Sequence, residues 1–273
     1  MHADYLCNEY GLDTISTGGT IAFAMDCYEN GIIDDMDVVL ENAETIIQLV
    51  TMIANREGLG KLLGEGVMRA SREIGMGSEK FAIHVKGLEG PAHDPRSGKT
   101  LAIMYGMGNR GMCHIHPLEG QAYDSIKNDF GLIPYGVPDP NEVDRYAENG
   151  KGKIAKKLQD FGILPDILGI CKFYVYNGLG PLELADMLSL LTGWEIDGEE
   201  LLKIGGRVYD YQRRFNVREG VRKGDDNLPE RVLKLPEFGK YSSIRECEIK
   251  DYSKMLEEGY KARGWNLETG APE

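Results

Sequence analysis

The sequence predicts an all-α, multihelical protein made of two packed helical domains with long loops. Three observations lead to this prediction. Apolar residues recur with the 3.6-residue period of amphipathic helices along most of the chain. Alternating apolar and polar runs of the kind that indicates β-strands are scarce. Irregular stretches rich in glycine and proline separate the helical patterns, and long ordered loops usually build sites rather than cores.

Three helices are predicted in the first part of the chain. The first has Thr14 or Ser16 as its N-cap and stops at the Asn30-Gly31 pair. The second carries a clear amphipathic stripe and is closed by a glycine, and the third also ends at a glycine. The predicted ranges are 15–30, 37–56 and 60–74.

The composition changes around residues 81–98, where a short apolar run is followed by Gly, Pro, Asp-Pro and Ser-Gly. Such a cluster of breakers is typical of a domain boundary, and we expect domains at 1–87 and 88–273. An irregular stretch reaches to about residue 140. The helices predicted for the second domain cover 99–106, 141–161, 181–192, 197–215 and 250–263.

The charge of the chain excludes several classes of function. Its 44 acidic and 31 basic side chains give a net charge of −13 over 273 residues, which argues against nucleic acid or an anionic membrane as partner. No apolar run approaches the roughly 18–20 residues of a membrane helix, and no signal peptide is visible. Five scattered cysteines do not form a disulfide framework. The sequence therefore predicts a soluble cytoplasmic protein with reduced thiols.

Two short segments share one pattern although they lie more than half the chain apart. Asn-Glu-Tyr-Gly-Leu-Asp (8–13) and Asp-Ile-Leu-Gly-Ile-Cys (166–171) both fit [Asp/Asn]-x-x-Gly-[Leu/Ile]-[Asp/Cys]. Glycine permits positive φ and close approach of a ligand to the backbone. A carboxylate can accept two hydrogen bonds from a guanidine-like edge such as the 2-amino-pyrimidinone of a pterin. A cysteine adds a thiolate ligand for iron or another metal.

Either segment alone is more simply an ordinary turn near a helix end. The chain as a whole, however, resembles the tungsten-containing aldehyde:ferredoxin oxidoreductase family, which carries paired Asp-x-x-Gly-Leu-Asp and Asp-x-x-Gly-Leu-Cys motifs. Further matching segments occur in the family's order along almost the entire chain. They are Gly-Leu-Asp-Thr-Ile-Ser-Thr-Gly (11–18), Ala-Asn-Arg-Glu-Gly-Leu-Gly (54–60), Asp-Pro-Arg (94–96), Asn-Arg-Gly (109–111), Thr-Gly-Trp-Glu-Ile-Asp (192–197), Phe-Asn-Val-Arg-Glu-Gly (215–220) and Asp-Asp-Asn-Leu-Pro-Glu-Arg (225–231).

The resemblance implies that the two motifs are pterin-binding loops, with the acidic head of each contacting a pterin. It also implies that Cys171 is one of four thiolates on a [4Fe–4S] cluster. The expected cofactor-binding residues are Asn8, Gly11, Leu12, Asp13 and Thr14 in the first loop, and Asp166, Gly169, Ile170 and Cys171 in the second. Asn8 in place of aspartate and Ile170 in place of leucine are departures that indicate a divergent member.

Parts of the family pattern are absent. In the family, the other three cluster cysteines form a Cys-x-x-Cys-x-x-x-Cys run upstream of the first pterin loop. An N-terminal domain and a catalytic glutamate also lie upstream. None of the other cysteines of this chain has that spacing. We expect the chain to represent the two C-terminal domains, as a fragment, a split gene product or a truncated chain. Alone it should be inactive and hold neither tungsten nor cluster. The implied partners are the N-terminal domain or subunit, ferredoxin and an aldehyde, and a homo-oligomer is possible.

The segment Gly-Met-Cys-His-Ile-His-Pro (111–117) contains the candidate catalytic residues His114 and His116. The resemblance implies that His114 lies near the metal and handles protons, which suits an imidazole with a pKa near 6.5. The family reads Ala-Asp where this chain has Met112-Cys113, so the substrate stays open and includes aromatic acyl thioesters. Ordinary loop histidines, and a metal hydrolase using Cys113, His114 and His116, are the alternatives.

The leading functional hypothesis is the cofactor-binding part of a tungsten or molybdenum bis-pterin oxidoreductase. The complete enzyme would oxidise aldehydes to carboxylic acids and pass electrons through the cluster to ferredoxin. A non-catalytic helical scaffold, or a split subunit that completes a partner's site, is the second hypothesis. Such a chain should expose an apolar surface and self-associate.

Overall fold

The computed structural model describes residues 1–34 and 43–273, and within them the chain folds as two compact units. The first unit contains Met1–Ala92, Gly111–Cys113 and Pro229–Arg231. The second contains His93–Arg110, His114–Leu228 and Val232–Glu273. Helix is the dominant element in both units, and the described strands amount to one hairpin of two two-residue strands, so the predicted all-α multihelical class is confirmed.

In its described residues, the first unit has five helices and a short antiparallel hairpin. They are α1 (His2–Tyr10), α2 (Thr14–Glu29), α3 (Ala43–Asn55), α4 (Leu59–Leu63), α5 (Val67–Ile74), β1 (His84–Val85) and β2 (Leu88–Glu89). The core side chains come mainly from α2 and α3, including Ile21, Phe23, Leu49 and Val50. The predicted second helix, 37–56, agrees with α3 in its latter part, and its start lies outside the described residues.

The second unit is built around one buried helix. Its helices are α6 (Thr100–Gly106), α7 (Lys151–Gly162), α8 (Leu164–Leu168), α9 (Phe173–Tyr176), α10 (Pro181–Thr192), α11 (Gly198–Arg218) and α13 (Tyr252–Arg263). The single turn α12 (Glu230–Leu233) has residues assigned to both units. Helix α7 packs against α6, α11 and α13. Even Lys151, at its first position, is fully buried, where its Nζ donates to Asp124 Oδ1 at 2.6 Å. Helix α7 is therefore the centre of this unit.

The prediction of a helix over 141–161 is wrong for its first half, because α7 begins only at Lys151. Two aspartates organise the preceding residues as turns. Asp139 Oδ1 accepts from the backbone N–H of Asn141 at 2.8 Å, and Asp144 Oδ1 accepts from that of Tyr146 at 2.9 Å. Aspartate side chains that bond to the backbone two residues on compete with helix formation. Gly150, with φ of 82°, then separates these turns from the helix.

The predicted third helix is also divided. Residues 60–74 form α4 and α5, separated by Gly64-Glu65-Gly66. The carboxylate of Glu89 accepts from the N–H of Val67 at 2.8 Å and so caps the start of α5. The cap lies 22 residues from the N–H that it satisfies, which explains why the local pattern does not reveal the break.

Helix α1 was not predicted, and the N-cap of α2 was assigned wrongly. Most of α1 is exposed, with Cys7 as its buried residue, so its sequence has little amphipathic signal. Its contacts with α3 hold it in place. The N-cap of α2 is Asp13, whose Oδ1 accepts from Ser16 N at 2.7 Å, and not Thr14 or Ser16.

Helices α7 and α11 approach each other closely at Gly205. A β-carbon added there would lie 1.9 Å from the carbonyl oxygen of Asp160. We expect Gly205→Ala to lower the free energy of unfolding by roughly 1–3 kcal/mol, since the helices must separate to admit the methyl group. Urea denaturation followed by the fluorescence of the buried Trp265 measures the change. Gly224→Ala is the control, because a β-carbon at Gly224 meets no atom within 4 Å. Equal stability of the two variants would contradict the prediction.

Among the helices of the described residues, none combines the length and apolar character needed to span a membrane.

Candidate pterin-loop site

The two repeated segments form the same turn. Helix α1 ends at Gly11, with φ of 69° and ψ of 31°, and α8 ends at Gly169, with φ of 70° and ψ of 30°. After each glycine the next N–H reaches back to the helix: Leu12 N donates to Cys7 O at 2.8 Å, and Ile170 N to Pro165 O at 3.1 Å. Both segments are therefore helix C-caps of the left-handed kind, with the backbone redirected at the glycine.

The reason for glycine in both turns is backbone conformation rather than space. A β-carbon at Gly11 or Gly169 would meet no atom within 4 Å. The positive φ is nevertheless costly for other residues, at about 1 kcal/mol or more. The open space in front of each glycine also leaves the neighbouring backbone accessible to a ligand.

The first loop opens on a cavity of about 230 Å³ in the first unit. Leu12 and Asp13 line it, together with hydroxyl side chains of α2 and the carboxylates of Glu65 and Glu89. Asp13 and Thr14 are exposed, and so is Asn8 in the last turn of α1. The lining is polar and rich in hydrogen-bond acceptors, which fits the amino and ring N–H groups of a pterin.

The second loop opens on a larger cavity, of about 670 Å³, in the second unit. Gly169, Ile170 and Cys171 line one part of it, and mostly apolar side chains such as Tyr174 and Met187 line the rest. A volume of this size is within the range of pockets that hold cofactors.

Asp166, the acidic head of the second loop, is anchored by two side chains. Its Oδ2 accepts from Lys172 Nζ at 3.0 Å and lies 3.3 Å from His116 Nδ1. Lys172 Nζ also donates to the carbonyl oxygens of Ile115 and Pro117, at 2.9 and 2.7 Å. The lysine thus ties the histidine segment to the second loop. Burial, followed by the charge of Lys172, lowers the pKa of His116 below its ordinary value.

His114 is part of a separate group in the same unit. Its ring stacks on that of His93, with centroids 4.2 Å apart and an angle of 13° between the planes. Burial is the main reason why the pKa of His114 is lowered to about 4, and the neighbouring His93 and Arg110 contribute. His114 is therefore a neutral imidazole at pH 7 and a weaker base than an ordinary histidine.

Cys171 differs from the other four cysteines because its side chain is exposed, whereas Cys7, Cys27, Cys113 and Cys247 are buried. Burial and the adjacent Asp26 raise the pKa of Cys27 to about 11, which makes that thiol inert. The exposed thiol of Cys171 fits one sulfur ligand of an iron–sulfur cluster, which requires four. Within residues 1–34 and 43–273, no group of three metal-ligating side chains lies together. The hydrolase alternative accordingly lacks its donor set there.

The structure brings some predicted residues together and adds others. His116 meets the second loop through Asp166, while His114 contacts His93 instead. Sequence reasoning missed His93, Glu119 and Lys172. Two of them are adjacent to motifs of the family resemblance: His93 directly precedes Asp-Pro-Arg (94–96), and Lys172 directly follows Cys171. Their roles depend on contacts with residues distant in sequence, so no local pattern could have shown them.

A family model decides the relationship of the chain to known proteins. The model of aldehyde ferredoxin oxidoreductase domains 2 and 3 matches residues 1–273. The chain belongs to the aldehyde ferredoxin oxidoreductase family. The resemblance noted in the sequence is thereby confirmed, and the matched region is the part of the family that follows its first domain.

Individual relatives agree with the family model. The tungsten-containing aldehyde ferredoxin oxidoreductase of Pyrococcus furiosus is 35% identical over the whole chain, and that of Thermococcus kodakarensis is 34% identical. The chain spans 43% of the length of each of these two relatives. The aliphatic sulfonate oxidoreductase, WOR-like subunit, of Pyrococcus furiosus is 28% identical over 97% of the chain and 40% of its own length.

A solved structure shows the same fold. The active-site complex BamBC of benzoyl coenzyme A reductase, in complex with 1,5-dienoyl-CoA, superposes with a TM-score of 0.71. The match covers 97% of this chain and 43% of that one, at 24% identity. At this identity the comparison concerns the fold only.

Proposed function

We propose that the chain is the cofactor-binding C-terminal part of a tungsten or molybdenum bis-pterin oxidoreductase. The complete enzyme oxidises an aldehyde to a carboxylic acid and passes the electrons through a [4Fe–4S] cluster to ferredoxin. The observation that carries the proposal is the pair of matching glycine turns, each lining a cavity, in a member of this family. Relatives at 34–35% identity are named for this activity, and the sulfonate oxidoreductase is the source of a second candidate substrate class.

The second loop provides the stronger of the two pterin sites in this proposal. Asp166 accepts hydrogen bonds from the amino-pyrimidinone edge, with Lys172 fixing the position of its carboxylate. The backbone around Gly169 and Ile170 contacts the ligand at close range, and Cys171 supplies one thiolate to the cluster. The adjacent placement of Ile170 and Cys171 puts the pterin loop and the cluster ligand on the same turn.

In the first loop the roles fall to Asn8, Gly11, Leu12, Asp13 and Thr14. Asn8 carries an amide where the family has a carboxylate, so its hydrogen bonds to a pterin are those of a neutral acceptor and are weaker. Asp13 already accepts from Ser16 N with Oδ1, which holds the start of α2 in a fixed position beside the cavity. The loop backbone therefore contributes more to binding here than the side chain of Asn8.

Aldehyde oxidation with water yields a carboxylic acid, two electrons and two protons, so the site needs a proton acceptor. The tungsten–pterin group, when bound, supplies the two-electron redox centre. His114 is the first candidate for the acceptor in this proposal: with a pKa of about 4 it is unprotonated at pH 7, but as a weak base it must pass an accepted proton on. His116, with its pKa also lowered and its ring beside Asp166, is the second candidate for proton handling.

An exposed apolar surface supports the proposal that a further polypeptide completes the enzyme. Leu190, Leu191 and Trp194 lie within five residues, Phe173 directly follows the second loop and Lys172, and between 62% and 87% of each of the four is exposed. Exposed groups of large apolar side chains are typical of protein interfaces. The matched relatives are more than twice as long as the chain, and the occupant of this surface is a polypeptide corresponding to their first domain. Ferredoxin is the proposed electron acceptor of the whole assembly.

Metal analysis of the chain, with and without a polypeptide equivalent to the first domain of its relatives, tests the proposal. The mixture should contain tungsten or molybdenum and about four irons per complex, because a cubane cluster needs the additional thiolates of the partner. The chain alone should contain neither.

The matched variant is Asp166→Asn, with Asp129→Asn, also in the second unit, as its control. Asp166→Asn should reduce the tungsten content of the mixture severalfold without altering the circular dichroism spectrum. Full tungsten loading of the Asp166→Asn complex would refute the role of this carboxylate. A mixture that gains no metal, together with stoichiometric zinc in the lone chain, would overturn the function itself.

A further inference from the structure

His93 contacts an acidic side chain, an amide side chain and a second histidine ring. Its Nδ1 is 2.6 Å from Glu119 Oε1 and 2.9 Å from Gln121 Oε1. Glu119 is 9% exposed, so its carboxylate is largely removed from water. The ring of His93 also stacks on the ring of His114.

The two oxygen neighbours determine which nitrogen of His93 carries the hydrogen. A carboxylate oxygen and an amide oxygen are both acceptors, so Nδ1 must be the donor. Nε2 is then the nitrogen left to accept or release a proton. The hydroxyl of Tyr105 donates to the carbonyl oxygen of His93 at 2.8 Å and holds the backbone of the residue. The tautomer and the place of the ring are therefore both fixed by neighbouring groups.

The stack limits the charge that the two rings can hold. Two imidazolium rings with centroids 4.2 Å apart repel each other strongly in a half-buried site. The acidic neighbour Glu119 contacts the Nδ1 side of His93. Arg110 disfavours a positive charge on His114. A positive charge on both rings at once would therefore be strongly disfavoured.

We propose that His93 is a positioning residue for His114: Glu119 and Gln121 fix its Nδ1–H tautomer, and its stacked ring holds the ring of His114 in place and opposes a positive charge on it. This inference rests on the proposed role of His114 as proton acceptor and extends it to the residues that prepare it. The geometry of the stack and the hydrogen bonds carries it, and the lowered pKa of His114 agrees with it.

Nitrogen-15 NMR of the histidine side chains in the full chain tests the proposal without any metal. His93 should show the Nδ1–H tautomer at alkaline pH, and His114 should titrate far below pH 6.5. In His93→Phe, which keeps a stacking ring but removes its charge, the pKa of His114 should rise, although burial should still keep it below its ordinary value of about 6.5. In Glu119→Gln, the tautomer signature of His93 should shift towards Nε2–H.

The exposed Glu142→Gln is the matched control, and the titration of His116 in each variant is the internal reference. Glu142→Gln should leave the signals of His93 and His114 unchanged, and the titration of His116 should be the same in every variant. These two controls separate a local effect from a general loss of structure. A dominant Nε2–H tautomer of His93 in the wild-type chain would overturn the proposal. So would an unchanged titration of His114 in a folded His93→Phe variant. Either result would leave the tungsten-loading experiment untouched, so failure of this inference is distinguishable from failure of the proposed function.

Discussion

Replacing Asp226 with alanine should lower the free energy of unfolding of the second unit by about 3–5 kcal/mol. The guanidinium of Arg213 donates to both oxygens of Asp226, at 2.8 and 2.7 Å, and both side chains are completely buried. The hydroxyl of Tyr260 also donates to this carboxylate. Without Asp226 the positive charge of Arg213 stays in the interior without a carboxylate partner, although its Nε still donates to the carbonyl oxygen of Gly270. An unpaired buried charge is strongly destabilising.

Urea denaturation followed by the fluorescence of Trp265 measures this change, since the ring is 3% exposed and lies 5.0 Å from the Arg213 guanidinium. Glu219→Ala is the control, because the Arg218–Glu219 ion pair is exposed and should contribute less than about 1 kcal/mol. Replacing Arg213 and Asp226 together by methionine and leucine should cost less than Asp226→Ala alone. A double variant less stable than the single one would disprove this interpretation of the pair.

Replacing Cys171 with serine should remove the iron–sulfur cluster from the assembled enzyme. The thiol is exposed on the second loop, and serine offers an oxygen in place of the thiolate that a cluster requires. We expect the iron content of the mixture with the first-domain polypeptide to fall by more than tenfold. Iron analysis and the visible absorption of the cluster measure the loss. The variant should fold normally, because the side chain makes no core contact.

Cys113→Ser serves as the comparison, since Cys113 is buried and was considered only as a zinc ligand. Its iron content should equal that of the unmodified complex. Retention of iron in Cys171→Ser would exclude Cys171 as a cluster ligand. Loss of bound zinc in Cys113→Ser would instead revive the hydrolase alternative.

Sequence reasoning located several helices well where the signals are local. Helix α10 is one example: Pro181 stands at its first position and Gly193 ends it in the left-handed conformation. The end of α2 at Asn30-Gly31 is another. Reasoning failed where a distant residue, or a local turn that was not recognised, decides the outcome. Glu89 divides 60–74 into two helices, and the turns before α7 displace its predicted start.

In the candidate site, too, the sequence predicted the features that depend on local signals. The repeated motif identified both glycine turns, because a left-handed glycine after a helix is a local property of the chain. The family relationship also follows from the residues alone. The residue roles proposed for both loops await the experiments described above.

The sequence by itself determined the helical class, the family and the two turns, since these depend on periodicity, glycine conformation and order along the chain. Only the tertiary structure decided which side chains meet. Lys172 reaches carbonyl groups more than 50 residues away, and the ring of His93 lies against that of His114. The buried pair of Arg213 and Asp226 likewise depends on the folded unit. Such contacts arise from the packing of elements distant in sequence, where burial strengthens electrostatic interactions that no local pattern records.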